Sequence, residues 1–360
     1  MSAQWEFVIA NPAGGVDLVG LTHATGRRLN VRLLDAGEAS CTLNGLETEA
    51  AAAVELASDL RVLRDGVALF RGRIGPSSDT LTVDTQTAEI AAWDYRQLLE
   101  RRHLFAGDSA LTATGVEQSL IAWHAIQATQ ARTGGNLAIT RGAVPGSAVN
   151  RTVTFDPGLS VREAIDQIAQ LDNGFEWEIG ADGKFNAWNQ RGADRGFVVD
   201  LGGTAASITR RVDPSRFANW LQDVDKLGDI VTRQVSDLAT RPEGRWEQLF
   251  SDTALNDTTV LGLRADWLLA QYSTIQPAWT ATLRRGVWGG PGDLWIGDTV
   301  GIQVATPRLT VDTSYRVLEL AIELDDADVE TVAVTFGDRS VTLDRRLRKI
   351  QQRLDALERP

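Results

Sequence analysis

The chain has 360 residues, 43% of them hydrophobic, with 48 acidic against 36 basic residues and a formal net charge of −12. The length exceeds one ordinary core at ~100–200 residues per domain, and the apolar fraction is that of a folded chain. Binding through phosphates is driven by Lys and Arg displacing counterions, so this charge argues against stable nucleic-acid binding. No run reaches the ~18 apolar residues of a membrane-spanning helix, so no membrane insertion is expected. The start, MSAQWEFVIANPAGG, has neither a basic n-region nor a long apolar h-region, and no export signal is expected. Cys41 is the only cysteine; it has no internal disulfide partner and reads as a small apolar residue in a strand.

The first hundred residues read as paired strands. Leu60 and Val62 alternate with polar neighbours, Asp65-Gly66 supplies the positive φ angles of a tight hairpin, and Val67, Leu69 and Phe70 resume the run. Leu81, Val83, Ile90 and Trp93 continue as apolar positions in short β segments, before a helical stub from Tyr95 to Leu99. A small barrel or sandwich fits this pattern.

From about residue 104 the period changes. Leu120, Trp123, Ile126 and Gln127 lie at helix spacing within 116–132, and Gly134-Gly135 stops the helix. Ser160 with Glu163 forms a capping box ahead of an apolar stripe of Val161, Ile165, Ile168 and Leu171. A second hairpin runs from Phe175 to Trp188 through Asp182-Gly183. Strands return over 206–338, interrupted by one helix around 259–272.

The fold class expected is mainly β with an α+β insertion. It comprises a first barrel over 1–103, an inserted α+β domain over 104–205, a second barrel with one helix over 206–338, and a C-terminal helix over 339–360. In that last segment Leu343, Leu347, Ile350, Leu354 and Leu357 are spaced four, three, four and three, a heptad seam. Under three heptads is too short for a free coiled coil, so the seam either packs on its own domain or meets other copies or a partner.

Catalytic chemistry has no clear signature. His23, His103 and His124 fall in different elements, and there is no G-x-S-x-G elbow. Asp325, Asp326 and Asp328, and Asp223 with Asp225, lack the glycine and distal glutamate of a calcium loop and read as solvated turn acids. Gly289, Gly290 and Gly292 precede a strand with no following Gly-Lys-Ser/Thr, so a loop is favoured over a phosphate cradle. No catalytic residue, cofactor or metal site is assigned. Of eleven tryptophans, Trp93, Trp123, Trp177, Trp188 and Trp267 sit inside apolar periodicity, as core residues do.

Leu69-Phe70-Arg71-Gly72-Arg73-Ile74, followed by the run from Ala91 to Arg102 that contains Trp93-Asp94-Tyr95 and Leu98-Leu99, resembles the first barrel of the tail-hub family of long-tailed bacteriophages. Ala122-Trp123-His124, the run Asn173 to Ile179, Ala265 to Leu269 and Ile296 to Val300 agree in kind and order, similar to minor tail proteins of siphovirus-type phages of high-GC Gram-positive hosts. The resemblance implies two hub-type β-barrels and a homotrimeric ring. That ring would adapt a sixfold tail tube and distal tail protein to a threefold tip or central fibre protein, with a tape measure protein as a further neighbour and a path for DNA. It implies a virion protein at the distal end of the tail, made in the host cytoplasm, without enzymatic activity. The alternative reading is a receptor- or carbohydrate-binding tail module that contacts the host cell wall through tryptophans.

Overall fold

The computed structural model describes residues 3–13, 15–144, 149–171, 173–215, 217–225, 228–252, 258–275 and 277–337. The chain is mostly β, 46% strand and 15% helix. It divides into two compact units, one of residues 1–208 with 281–336, the other containing residues 209–280.

The larger unit is built on a 13-stranded sheet. From Glu330–Gly337 the hydrogen-bonded order runs through Thr310–Leu324, Thr25–Arg32, Glu38–Asn44, Gln86–Asp94, Val67–Leu81, Asp59–Arg64 and Trp5–Ala10 to Asp17–Gly20. Strands from the two ends of the chain are therefore ladder neighbours: Leu29 stands opposite both Ala39 and Ile322. The period-2 pattern explains which faces are covered. Phe7 and Ile9, Leu60 and Val62, and Leu320 and Ile322 are all buried.

Two long strands change partner along their length. Val67–Leu81 pairs with Asp59–Arg64 through its first half and with Gln86–Asp94 from Gly72 onward. Thr310–Leu324 pairs with Thr299–Ala305 and then with Thr25–Arg32. The hairpin expected at Asp65-Gly66 is present, with φ of 51° and 75° at the two turn residues, as a type I′ turn requires.

The α+β part has its own core, in which Ile121, Ala122, Ala125 and Ile126 meet Val161, Ile165 and Ile168. Helix Gln118–Gln130 is capped by the Glu117 carboxylate, which accepts from the amides of Ser119 and Leu120. Its buried face differs from the expected stripe: Leu120 is half-buried and Gln127 exposed, while Ala122 and Ala125 lie at the contact. Alanines let helices approach closely, and a search for large apolar residues passes over them. The capping box of Ser160 and Glu163 is formed on helix Val161–Ala169. That helix ends before Leu171, which is 41% exposed and so leaves the stripe. In the second hairpin Ile179 pairs with Phe185, and the connection is a looser turn in which Gly183 alone has positive φ.

The smaller unit carries a three-stranded sheet ordered Ile230–Gln234, Trp220–Asp225, Glu247–Asp252, the last pair parallel. Leu221 on the sheet packs with Ala265 and Leu268 of helix Thr258–Tyr272. Asp223 is not the solvated turn acid expected: it lies buried within strand Trp220–Asp225, where its charge is met by Arg264 at 3.1 Å.

Candidate functional site

The most organised polar arrangement lies where strands Asp59–Arg64 and Val67–Leu81 meet the start of helix Tyr95–Glu100. Asp59 is fully buried. Its carboxylate accepts from Arg71 Nε at 2.9 Å, Arg73 Nε at 2.7 Å and the Tyr95 hydroxyl at 2.6 Å. Arg71 also donates to the Pro12 carbonyl at 2.8 Å, and Arg73 to the Leu56 carbonyl at 2.9 Å. The guanidinium of Arg71 lies 5.2 Å from the Tyr95 ring centroid. Burial, with the nearby Asp59 charge second, pushes the Tyr95 hydroxyl up to about 12, so it stays a donor.

Strand alternation explains why both arginines can reach one acid. Arg71 and Arg73 are two apart and share a face, and Asp59 stands directly opposite Arg73 in the register. Gly72 between them is required by close approach: a Cβ there would lie 2.3 Å from the Trp93 carbonyl oxygen and 2.6 Å from the Phe70 ring. The motif residues therefore describe a strand crossing, with a buried charge cluster on one side and backbone contact on the other.

Beside it is a polar cleft of about 180 Å³ lined by, among others, Arg32, Arg71, Asp94, Arg96, Glu178 and Arg191. The Asp94 carboxylate caps helix Tyr95–Glu100 by accepting from the Arg96 amide at 2.9 Å, and it also accepts from the Gly37 amide at 2.7 Å. Burial pushes its acidity in the direction of a higher pKa. Arg96 is buried and lowered to about 10 by desolvation. Its guanidinium donates to the carbonyls of Leu33 and Asp35, both at 3.0 Å, and lies 4.7 Å from the Trp177 ring centroid. Arg191 pairs with Glu178, and Arg32 with Glu319.

Two further arginines hold distant segments of the larger unit. Arg64 grips Glu330 through two nitrogens, each at 3.1 Å, donates to the Gly289 carbonyl at 2.9 Å and lies over Trp288. Arg316 grips Glu176 in the same forked way at 2.6 and 3.0 Å. Chemically, these arrangements join backbone segments: the guanidinia are committed to carboxylates and carbonyls.

The candidates read from the sequence fall apart spatially. His23, His103 and His124 are all exposed and none lines the cleft. Cys41 is buried in strand Glu38–Asn44, and desolvation pushes its thiol up to about 12. Asp325 accepts from the amides of Ala327 and Val329, and Asp328 pairs with Arg27 at 2.6 Å, which makes them turn acids. The glycine-rich loop is closed by Asp293, which accepts from the Gly289 amide at 3.0 Å. Trp123, Trp177, Trp279 and Trp288 are buried, Trp93 and Trp188 half-buried, and Trp246 is 48% exposed. Nothing is described of the Trp267 side chain. The seam of Leu343, Leu347, Ile350, Leu354 and Leu357 lies outside the described residues.

Sequence reasoning missed Asp59 altogether. Its one signal was an acid opening a strand of otherwise core-facing residues, opposite an Arg-Gly-Arg.

The sequence matches no protein-family model and no curated protein. Solved structures do match over almost the whole chain. A tail protein from Neisseria meningitidis superposes with a TM-score of 0.65 at 13% identity, over 92% of this chain and 97% of its own. The 43 kDa tail protein of prophage MuSo2 from Shewanella oneidensis gives 0.68 at 13% identity, over 93% and 98%. The prophage tail protein gp18 from Listeria monocytogenes gives 0.56 at 12% identity, over 96% and 99%. Over more than nine-tenths of its length, the fold of this chain is the fold of these tail proteins.

Proposed function

We propose that this chain is a structural subunit of a phage tail tip, three copies of which form a hub ring between a sixfold tail tube with its distal tail protein and a threefold tip or central fibre. The observation that carries this reading is the likeness of fold to tail proteins over more than nine-tenths of both chains. The charge pattern supports it from a different direction. Forked arginine–carboxylate pairs stitch remote strands together, as suits a part that bears load, and a net charge of −12 disfavours DNA adhering to the ring. The partition into barrels over 1–103 and 206–338, an insertion over 104–205 and a terminal helix over 339–360 belongs to the same proposal, with the heptad seam as a contact to other copies or to the tip.

Light scattering and negative-stain microscopy of the purified chain test it. The expected result is three chain masses and threefold rings. A chain that stays monomeric at every concentration and is missing from the tail end of particles would overturn the proposal, and turnover of peptidoglycan abolished by one acidic substitution would overturn its non-enzymatic character.

A further inference from the structure

Strand Val67–Leu81 runs out of the fold. Pairing with Asp59–Arg64 on one side reaches no further than Arg73, and the backbone bonds between Ile74 and the loop at Leu56 and Ser58 are the last on that side. A register shift between Ile74 and Ser77 follows, at Gly75-Pro76, where a Cβ on Gly75 would lie 2.5 Å from the Trp93 ring. Beyond it, residues 76–81 are exposed without exception and pair only with Gln86–Asp94. The tip is stiff: the Thr82 amide donates to the Thr85 carbonyl at 2.8 Å, and the Thr85 amide to the Thr82 hydroxyl at 2.9 Å. It presents Leu81 at 68% and Val83 at 101% exposure. Natural edges of this kind are blunted with charge, proline or bulges; past Pro76 the charges here are acidic only, since no Lys or Arg occurs between Arg73 and Arg96. Asp79, Asp84 and Glu89 make no ion pair among the described residues.

One end of the same sheet's hydrogen-bonded order is the strand Ala205–Arg211. It is of matching length and opposite sign. Arg210 and Arg211 are exposed, Val212 beside them is 37% exposed, and the strand contains no acid.

We infer that the 76–89 arm of one copy adds, edge to edge, to strand Ala205–Arg211 of a neighbouring copy, with Asp79 and Asp84 facing Arg210 and Arg211 and with Leu81 and Val83 covered. This rests on the ring reading above and names the joint of that ring. Two different surfaces meet, so the contact is head-to-tail, the kind that closes a ring when the rotation per copy allows. Main-chain bonds supply the affinity and the opposed charges set the register.

The test is a charge swap on the full chain, read by sedimentation across protein concentration, with the thermal midpoint confirming that each variant is folded. Asp79→Arg with Asp84→Arg should raise the concentration of half-assembly at least tenfold, as should Arg210→Asp with Arg211→Asp; all four together should restore assembly. Mild oxidation of Asp79→Cys with Arg211→Cys should give covalent oligomers on a non-reducing gel, since native Cys41 is buried. Assembly unaffected by either pair, loss without rescue, or absence of cross-linked oligomers would overturn the joint and leave the ring reading standing. A wild-type chain that never assembles would overturn both.

Discussion

The two halves of strand Val67–Leu81 solve opposite problems with the same backbone. Its inner half, to Ile74, is paired with Asp59–Arg64 and, from Gly72, with Gln86–Asp94 as well, holds Arg71 and Arg73 against buried Asp59, and has no space even for a methyl group at Gly72. Its outer half has one neighbour, no core and no compensated charge. Conformation is fixed from within in the first case and left to a partner in the second. A stretch that a single propensity scale would treat as uniform is therefore two regions, divided at Gly75-Pro76.

Asp59→Ala is the largest test of that division. It would leave two largely desolvated guanidinia without their acid, and breaking a buried pair from one side costs about 3–5 kcal/mol. A loss of unfolding free energy of that size, read from a lower urea midpoint at unchanged slope, is expected; a loss below ~1 kcal/mol would show that water already screens the cluster. Gly72→Ala comes next, at roughly 3 kcal/mol, the upper end for overpacking, because the carbonyl of Trp93 that its Cβ meets is held in a ladder and cannot turn aside. The same substitution at Gly66, whose Cβ would meet nothing, should cost only the ~1–2 kcal/mol of a left-handed backbone.

The sequence showed these halves unequally. The Asp65-Gly66 turn, the capping box at Ser160 and the helix near Thr258 are local devices whose cause and effect lie within a few residues, and they were legible. The motif around Arg71-Gly72-Arg73 and Trp93-Asp94-Tyr95 was visible as a resemblance, but its physical content was not. Asp59, Arg73 and Tyr95 come together through the register of three strands, and register is not written in any one of them. The same holds for Leu29 lying between Ala39 and Ile322, a pairing across almost the whole chain. The outer arm was legible as β, but not its exposure: Leu81 and Val83 alternate as buried strand residues do, and only the absence of a covering layer reveals them as surface.

Tyr95→Phe probes the cluster more gently. It removes one hydrogen bond to a charged acceptor and should cost about 2 kcal/mol. It should also change the alkaline limb of stability. Tyr95 and Cys41 are both raised to about 12 when folded, so the unfolded chain loses these protons first as pH rises. Stability is then full below about pH 9 and falls progressively toward pH 12. Urea midpoints between neutral pH and about pH 11 should decline less steeply in Tyr95→Phe and in Cys41→Ala than in the parent chain; parallel declines would mean that other groups govern the limb.

Val83→Ser gives the smallest effect and the sharpest contrast. In the unassembled chain its side chain touches water on every side, so the substitution should move the unfolding midpoint by no more than ~0.5 kcal/mol equivalent, as for any surface site without a special contact. In the assembled protein the same methyl groups would be covered, and the concentration of half-assembly should rise while the monomer's midpoint stays put. The pair of measurements separates the two halves of the strand by kind as well as by size: the inner half registers in folding alone, the outer half in association alone. A Val83→Ser chain destabilised as a monomer would instead place the arm against its own fold, and the division at Gly75-Pro76 would lose its meaning.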